Sequence, residues 1–213
     1  HQPVGNFGEV VARASDRAYD PLLAALERHP GVRFSLHVSG CLLEFWEKLR
    51  PDLIGRIRSL ADSGQCELMG GWFYEPILPA IPEVDRRGQI RAMADWLELE
   101  LGRRPRGLWL AERVWEPGLA SSLAASGVGY TAVDDAHFVA AGFEREALWG
   151  DYLTEDQGQS VTVFPIHREL RNLVPFGEPE QTVELLRRVA EGGEGRLAVL
   201  GDDGEKFGVW PGT

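Results

Sequence analysis

The stretch Gly107-Leu108-Trp109-Leu110-Ala111-Glu112-Arg113-Val114-Trp115-Glu116-Pro117 decides how the chain is read. From 107 to 111 it holds no polar side chain. A short run that is apolar on both faces, without alternation, suits a strand covered on both sides, as in parallel sheets flanked by helices. The run stops abruptly on a carboxylate and a guanidinium. Helix capping accounts for many Asp and Ser residues at such positions, but Glu is not a favoured cap. Glu112, directly behind Trp109-Leu110-Ala111, is therefore better explained by chemistry than by capping.

The same grammar recurs on both sides. Residues 33–38, 66–69, 130–133 and 197–200 form further short apolar runs, and a strand is expected to end near His1. Between them lie helical stripes. Leu22, Leu23, Ala25 and Leu26 form one, and Leu53, Ile54, Ile57 and Leu60 a clearer one. Ile90, Met93, Ala94 and Leu97 form a third. Val183, Leu185, Leu186 and Val189 form a fourth, with Pro179 near its start, where a missing N–H is harmless. Strands alternating with helices predict an α/β fold of parallel βα units. Residues 151–166 break the rhythm and are expected to be a hairpin insertion.

Each apolar run leads into polar residues. The first ends at His1, the next carries His37 and Ser39, and the third carries Glu67 and leads to Trp72 and Glu75. The others lead into Glu112-Arg113, into Asp134-Asp135-Ala136-His137, and into Gly201-Asp202-Asp203-Gly204-Glu205. In (β/α) barrels the carboxyl ends of the strands carry the chemistry, because the βα loops converge there. A strand tip also holds a carboxylate on rigid backbone. Capping explains Ser39, Asp134 or Asp202 equally well.

The 213 residues and 23.6 kDa fit one substantial domain. With 44% hydrophobic and 26% charged residues the composition is that of an ordinary globular protein, which excludes disorder and coiled coil. No apolar run reaches 18 residues, so no membrane span is expected. Lys plus Arg against Asp plus Glu gives 22 − 33 = −11. Such a chain is a poor partner for nucleic acid and suits a neutral ligand. Cys41 and Cys66 form no paired or metal-spaced set, which points to a reducing, cytoplasmic setting. His1, His37, Asp135 and His137 lack the compact spacing of a zinc site, so neither metal nor cofactor is expected. The start on His1 and the stop at Thr213 read as those of a piece cut from a longer protein.

His1-Gln2-Pro3, then Gly64-Gln65-Cys66-Glu67 leading to Tyr74-Glu75-Pro76, then 109–117, then Gly201-Asp202-Asp203-Gly204-Glu205-Lys206-Phe207-Gly208, resemble the first four motifs of glycoside hydrolase family 57 in order. Ile81-Pro82, Asp134-Asp135-Ala136-His137-Phe138 and segments within 152–166 look most like its 4-α-glucanotransferase and α-amylase branch. The resemblance covers nearly the whole chain. It implies an incomplete (β/α)7-type barrel, truncated at both ends, of a retaining enzyme acting on α-1,4-glucans. The last barrel strand and the helical region that normally follows are expected beyond Thr213. The family nucleophile falls on Glu112 and the acid/base on Asp203, with Asp202 as the alternative. A 4-α-glucanotransferase is the foremost expectation; an α-amylase or a catalytically inactive glucan-binding fragment are the alternatives.

Two-carboxylate retention needs the groups roughly 5–5.5 Å apart, one ionised and one protonated. Like-charge repulsion from Glu112 and partial burial would raise Asp203. Arg113 either holds Glu112 ionised or turns away to bridge another carboxylate. For sugar contact the expected residues are His1, Glu67, Trp72, Arg113, Trp115, Asp135, His137 and Trp210, with His137 alternatively donating to a backbone carbonyl. Aromatic rings would pack on sugar C–H faces. His37 suits a satisfied core histidine as well as a ligand contact, and Glu205 and Lys206 would orient the Asp203 loop.

Overall fold

The computed structural model describes residues 8–213. The expected strand end at His1 therefore lies outside the described residues.

Parallel pairing runs through the chain. Strands β1 (Phe34–Leu36) and β2 (Cys66–Leu68) pair in parallel, with Ser35 opposite Glu67. Strand β3 (Gly107–Trp109) pairs in parallel with β4 (Tyr130–Asp134). An isolated parallel bridge, Gly70 to Leu108, joins the two groups. The Gly70 amide donates to the Gly107 carbonyl at 2.8 Å, and the Trp109 amide donates to the Gly70 carbonyl at 2.9 Å.

The 151–166 piece is a hairpin of β5 (Tyr152–Asp156) and β6 (Gln159–Ile166), but it is not an insertion. Strand β6 pairs in parallel with β4 over five residues, and Ile166 then bridges in parallel to Val199. Val161, Val163 and Pro165 are buried on one face of β6, which makes it a member of the main sheet with β5 as its edge. The 197–200 run contributes that one bridge instead of a full strand.

The helices form where the apolar period allows. Helix α1 (Gly8–Ala14) passes through a π-helical turn, Ser15–Tyr19, into α2 (Asp20–Arg28). The Trp46 indole N–H donates to the Ser15 hydroxyl, which donates in turn to the Val11 carbonyl. Helix α3 is Gly40–Leu49. Helix α4 (Pro51–Asp62) buries the expected Leu53, Ile54, Ile57 and Leu60. Helix α5 (Glu83–Leu101) buries Ile90, Met93, Ala94 and Leu97 and stops at Gly102, whose φ of 68° is the left-handed value that ends helices. Helices α6 (Leu119–Ala125), α7 (Asp135–Ala140) and α8 (Arg168–Leu173) are short. Helix α9 (Pro179–Glu191) buries Leu185 and Val189 but leaves Val183 and Leu186 exposed, so only half of its predicted stripe is used.

Two large cores result. One gathers α1 to α4 with β1, β2 and Met93 of α5; the other gathers Trp72, Ile90, Leu108, Leu110, Leu123 and Val133. The 3-10 turn Gly204–Phe207 packs on the π-helical turn. Contact there is so close that a Cβ on Gly208 would meet the Arg17 carbonyl oxygen at 2.0 Å. This packing presses the segment that carries Asp203 against the body of the fold.

Candidate active site

The β3 run ends at Leu110, and the chain turns sharply. Glu112 has φ 53°, ψ 9°, and Arg113 has φ 54°. Two consecutive non-glycine residues in the left-handed region are uncommon and cost about 1–3 kcal/mol each. The neighbours hold this turn in place. His137 Nε2 lies 3.1 Å from the Arg113 carbonyl oxygen. A carbonyl only accepts, so Nε2 carries the proton. Arg113 Nε donates to Asp134 at 3.2 Å, and its guanidinium lies over the Trp109 ring, 5.9 Å from the centroid. The Glu112 side chain, by contrast, is exposed.

Asp202 and Asp203 are sharply distinguished. The Asp202 side chain is 2% exposed. Its Oδ1 accepts from Arg171 Nη2 at 3.0 Å, from the Asp203 amide at 3.0 Å and from Lys206 Nζ. Asp203 is 28% exposed and lies 3.8 Å from both Arg113 Nη1 and Lys206 Nζ. The buried, multiply bonded Asp202 is an anchor, and Asp203 is the carboxylate offered to solvent beside the Glu112-Arg113 turn. Next to them, burial pushes the Glu205 carboxyl up.

Of the two orientations open to Arg113, the structure takes the bridging one, between Asp134 and Asp203. Of the two roles open to His137, it takes the backbone one. Trp210 is 48% exposed on the same rim, with Lys206 Nζ 5.3 Å from its ring centroid. Trp115 is half-buried against the second core.

Other expected sugar contacts lie elsewhere. Trp72 is 1% exposed inside the second core, so its ring is packing and not a sugar platform. Asp135 is buried, pairs with Arg145, and accepts from the Arg168 amide at 3.1 Å. It thus ties α7 to the start of α8 rather than facing a ligand. Glu67 accepts from Ser35 Oγ at 3.0 Å and from Tyr130 Oη at 2.6 Å. Tyr130 is four residues before Asp134 on the same face of β4, about 13 Å along the strand. Glu67, itself exposed, is therefore bonded near the start of β4, at the end opposite Asp134. His37 Nε2 lies 3.6 Å from Glu75 Oε1, both nearly buried, while His37 Nδ1 is buried without a hydrogen-bond partner among the described residues. His1 lies outside the described residues.

Two residues of the cluster are not among the expected site residues. Asp134 reads as a cap, yet it accepts from both Arg113 and Arg171. Arg171 sits on α8, a helix visible only once β6 is recognised as a sheet strand. Among the described residues no three His, Cys, Asp or Glu side chains converge to hold a metal, and no helix is long and apolar enough to cross a membrane.

The fold and site define an α/β protein of parallel strands with acidic residues gathered at adjoining carboxyl ends. The chain belongs to glycosyl hydrolase family 57, whose model matches residues 9–213. It is 47% identical over all 213 residues to a protein of Pyrococcus horikoshii named alpha-amylase, covering 34% of that relative. It is 46% identical to the 4-alpha-glucanotransferase of Thermococcus litoralis, covering 32% of it, and superposes on that enzyme's crystal structure with a TM-score of 0.91 over the whole of this chain and 33% of that one. A branching enzyme of family 57 from Pyrococcus horikoshii shares the fold, with 19% identity, 99% of this chain covered against 61% of that one, and a TM-score of 0.76. The chain thus spans about a third of the length of the curated relatives it matches.

Proposed function

We propose that the protein is a retaining enzyme acting on α-1,4-glucans, foremost a 4-α-glucanotransferase, and that residues 1–213 form most of an incomplete (β/α)7-type barrel carrying both catalytic carboxylates. The single observation that carries this reading is the junction of the two acidic tips. Glu112 stands on a strained turn after β3, and the adjoining Arg113 reaches to 3.8 Å from Asp203.

In this mechanism the exposed Glu112 carboxylate attacks the anomeric carbon. Asp203 gives its proton to the leaving glycosidic oxygen. The glycosyl–Glu112 ester is then released when Asp203, now a base, takes the proton of the incoming hydroxyl. Arg113 and Lys206 flank Asp203 once it carries charge. Trp210 offers an apolar face on the rim for a sugar ring. The family membership supports glucan as substrate, and the relative named 4-alpha-glucanotransferase supports a sugar hydroxyl as acceptor. The free thiols Cys41 and Cys66 fit a reducing compartment such as the cytoplasm.

Hydrolysis is the second reading, favoured by the relative named alpha-amylase at 47% identity. Incubation of the full-length protein with maltotriose separates them. Longer and shorter maltooligosaccharides together mean transfer; glucose and maltose alone mean hydrolysis. No turnover of any α-glucan, with Glu112 intact, would overturn both.

A further inference from the structure

The charged groups at the strand tips close into a ring. Arg113 Nη1 approaches Asp203 Oδ1 at 3.8 Å, and Arg113 Nε donates to Asp134 at 3.2 Å. The other Asp134 oxygen accepts from Arg171 Nη1, also at 3.2 Å, and Arg171 Nη2 donates to Asp202 at 3.0 Å. Asp202 accepts the Asp203 amide at 3.0 Å, which returns the circuit to the start. Lys206 bonds Asp202 and stands 3.8 Å from Asp203. The ring draws on the turn after β3, the end of β4, helix α8 and the 202–206 turn. Asp134 is the only member that touches both guanidinium groups, one from the nucleophile turn and one from the acid/base anchor.

We propose that Asp134 is a positioning residue that sets the spacing and the charge balance of the Glu112–Asp203 pair, a role that rests on the reading of those two carboxylates as the reacting groups. The mechanical part follows from the contacts. Arg113 is covalently next to Glu112, and Asp202 is covalently next to Asp203, so a carboxylate that clamps Arg113 and Arg171 together clamps the two tips. Misplacing a reacting group by about 1 Å costs on the order of 100-fold in rate.

The electrostatic part follows from the count. With Asp203 ionised, the ring holds three cations (Arg113, Arg171, Lys206) and three anions (Asp134, Asp202, Asp203), and with Asp203 protonated it carries one net positive charge. Glu205 from the same turn acts on Asp203 and Lys206, His137 meets the ring through the Arg113 carbonyl, and Glu112 adjoins Arg113 along the chain. Removing the Asp134 charge raises the net charge of the ring by one, leaving Arg113 facing Asp203 while Arg171 stays bonded to Asp202. That favours the ionised form of Asp203, and a general acid that ionises earlier fails at lower pH.

The test uses Asp134→Asn and Asp134→Glu in the full-length protein, with Asp203→Asn measured alongside, by kcat, KM and the pH profile of kcat/KM on maltooligosaccharides. The expected result is about a 100-fold loss of kcat in Asp134→Asn with KM changed only a few-fold, a basic limb displaced to lower pH, and partial rescue by Asp134→Glu. A basic limb that stays put in a folded Asp134→Asn, or rescue no better than Asn, overturns the proposal. Should Asp134→Asn not fold, Arg171→Gln reads the ring from the opposite sign: losing a cation moves the basic limb to higher pH, and any other direction overturns the proposal. If Asp203→Asn instead keeps full activity and the same basic limb, it is the assignment of the carboxylate pair that fails, independently of Asp134.

Discussion

Two arginine-centred networks in this molecule use the same side chains differently. On the outside of the first core, Arg50 bonds Asp16, Asp20 and Asp52 at 2.7–2.9 Å, and Arg56 bonds Asp20 and Glu27 at 2.6–2.7 Å. At the strand tips, Arg113 and Arg171 hold Asp134 at 3.2 Å but stop 3.8 Å short of Asp203 on the Arg113 side. In the outer network every carboxylate meets a guanidinium at 2.6–2.9 Å. The Arg56 hydrogen bond, then that of Arg50, holds the Asp20 carboxyl below its ordinary value. The tip network is tight around Asp134 and Asp202 and slack around Asp203. The lesson is that charge density alone does not mark a site. What marks it is a carboxylate held near its partners without being consumed by them, beside a turn held in an uncommon backbone conformation.

That contrast can be broken by four substitutions. Glu112→Gln should lower turnover by about 1,000-fold or more while binding of maltooligosaccharide persists, since it removes the attacking oxygen and little volume. Steady-state kinetics with calorimetric binding checks this, and retention of more than a few per cent of activity would sink the nucleophile assignment. Asp203→Asn should cost about 10²–10⁴-fold on natural glucans and much less on substrates with a good leaving group, because only the poor leaving group needs the proton. Equal losses on both substrate types would point away from a general acid.

The next two concern stability. Trp72→Ala should destabilise by about 3–5 kcal/mol, since it empties a core position, and its effect on KM should be confined to whatever unfolding explains. A normal melting temperature with a raised KM would return Trp72 to the sugar site. The smallest effect is expected in the outer network. Asp20→Asn should cost no more than about 1 kcal/mol at neutral pH, because its partners are solvent-screened. Asp20 has a lowered folded value, so its contribution is present above its ordinary 3.8 and is lost as pH falls through the folded value. Denaturant titrations of the two proteins should therefore converge in acid; a gap that persists there would mean that the loss is not electrostatic.

How much was legible follows from which signals are local. The α4 and α5 stripes were readable because a 3.6-residue period is written into consecutive positions. Glu112 stands out as a candidate in the sequence because a carboxylate directly behind an unbroken apolar run has few bland explanations. Strand β6 was misjudged as part of an insertion, because a two-residue turn at Gln157-Gly158 gives the same signal whether the hairpin stands alone or lies in the sheet. Trp72 was misjudged because adjacency to a motif says nothing about which way a ring points, and it points into the second core.

Composition, periodicity and the runs ending on acids determined by themselves that this chain is an α/β protein of parallel strands with acidic residues gathered at their carboxyl ends. These properties are set by neighbours a few positions apart. Only the tertiary structure decided that Arg113 serves Asp134 and Asp203, that Asp202 is the anchor and Asp203 the open carboxylate, and that Arg171 belongs to the cluster at all. Those pairings join residues 21 to 90 positions apart, from 113 to 134 and from 113 to 203. A charge in a sequence does not name its partner until folding brings the two within a few ångströms, where Coulomb attraction can choose between candidates.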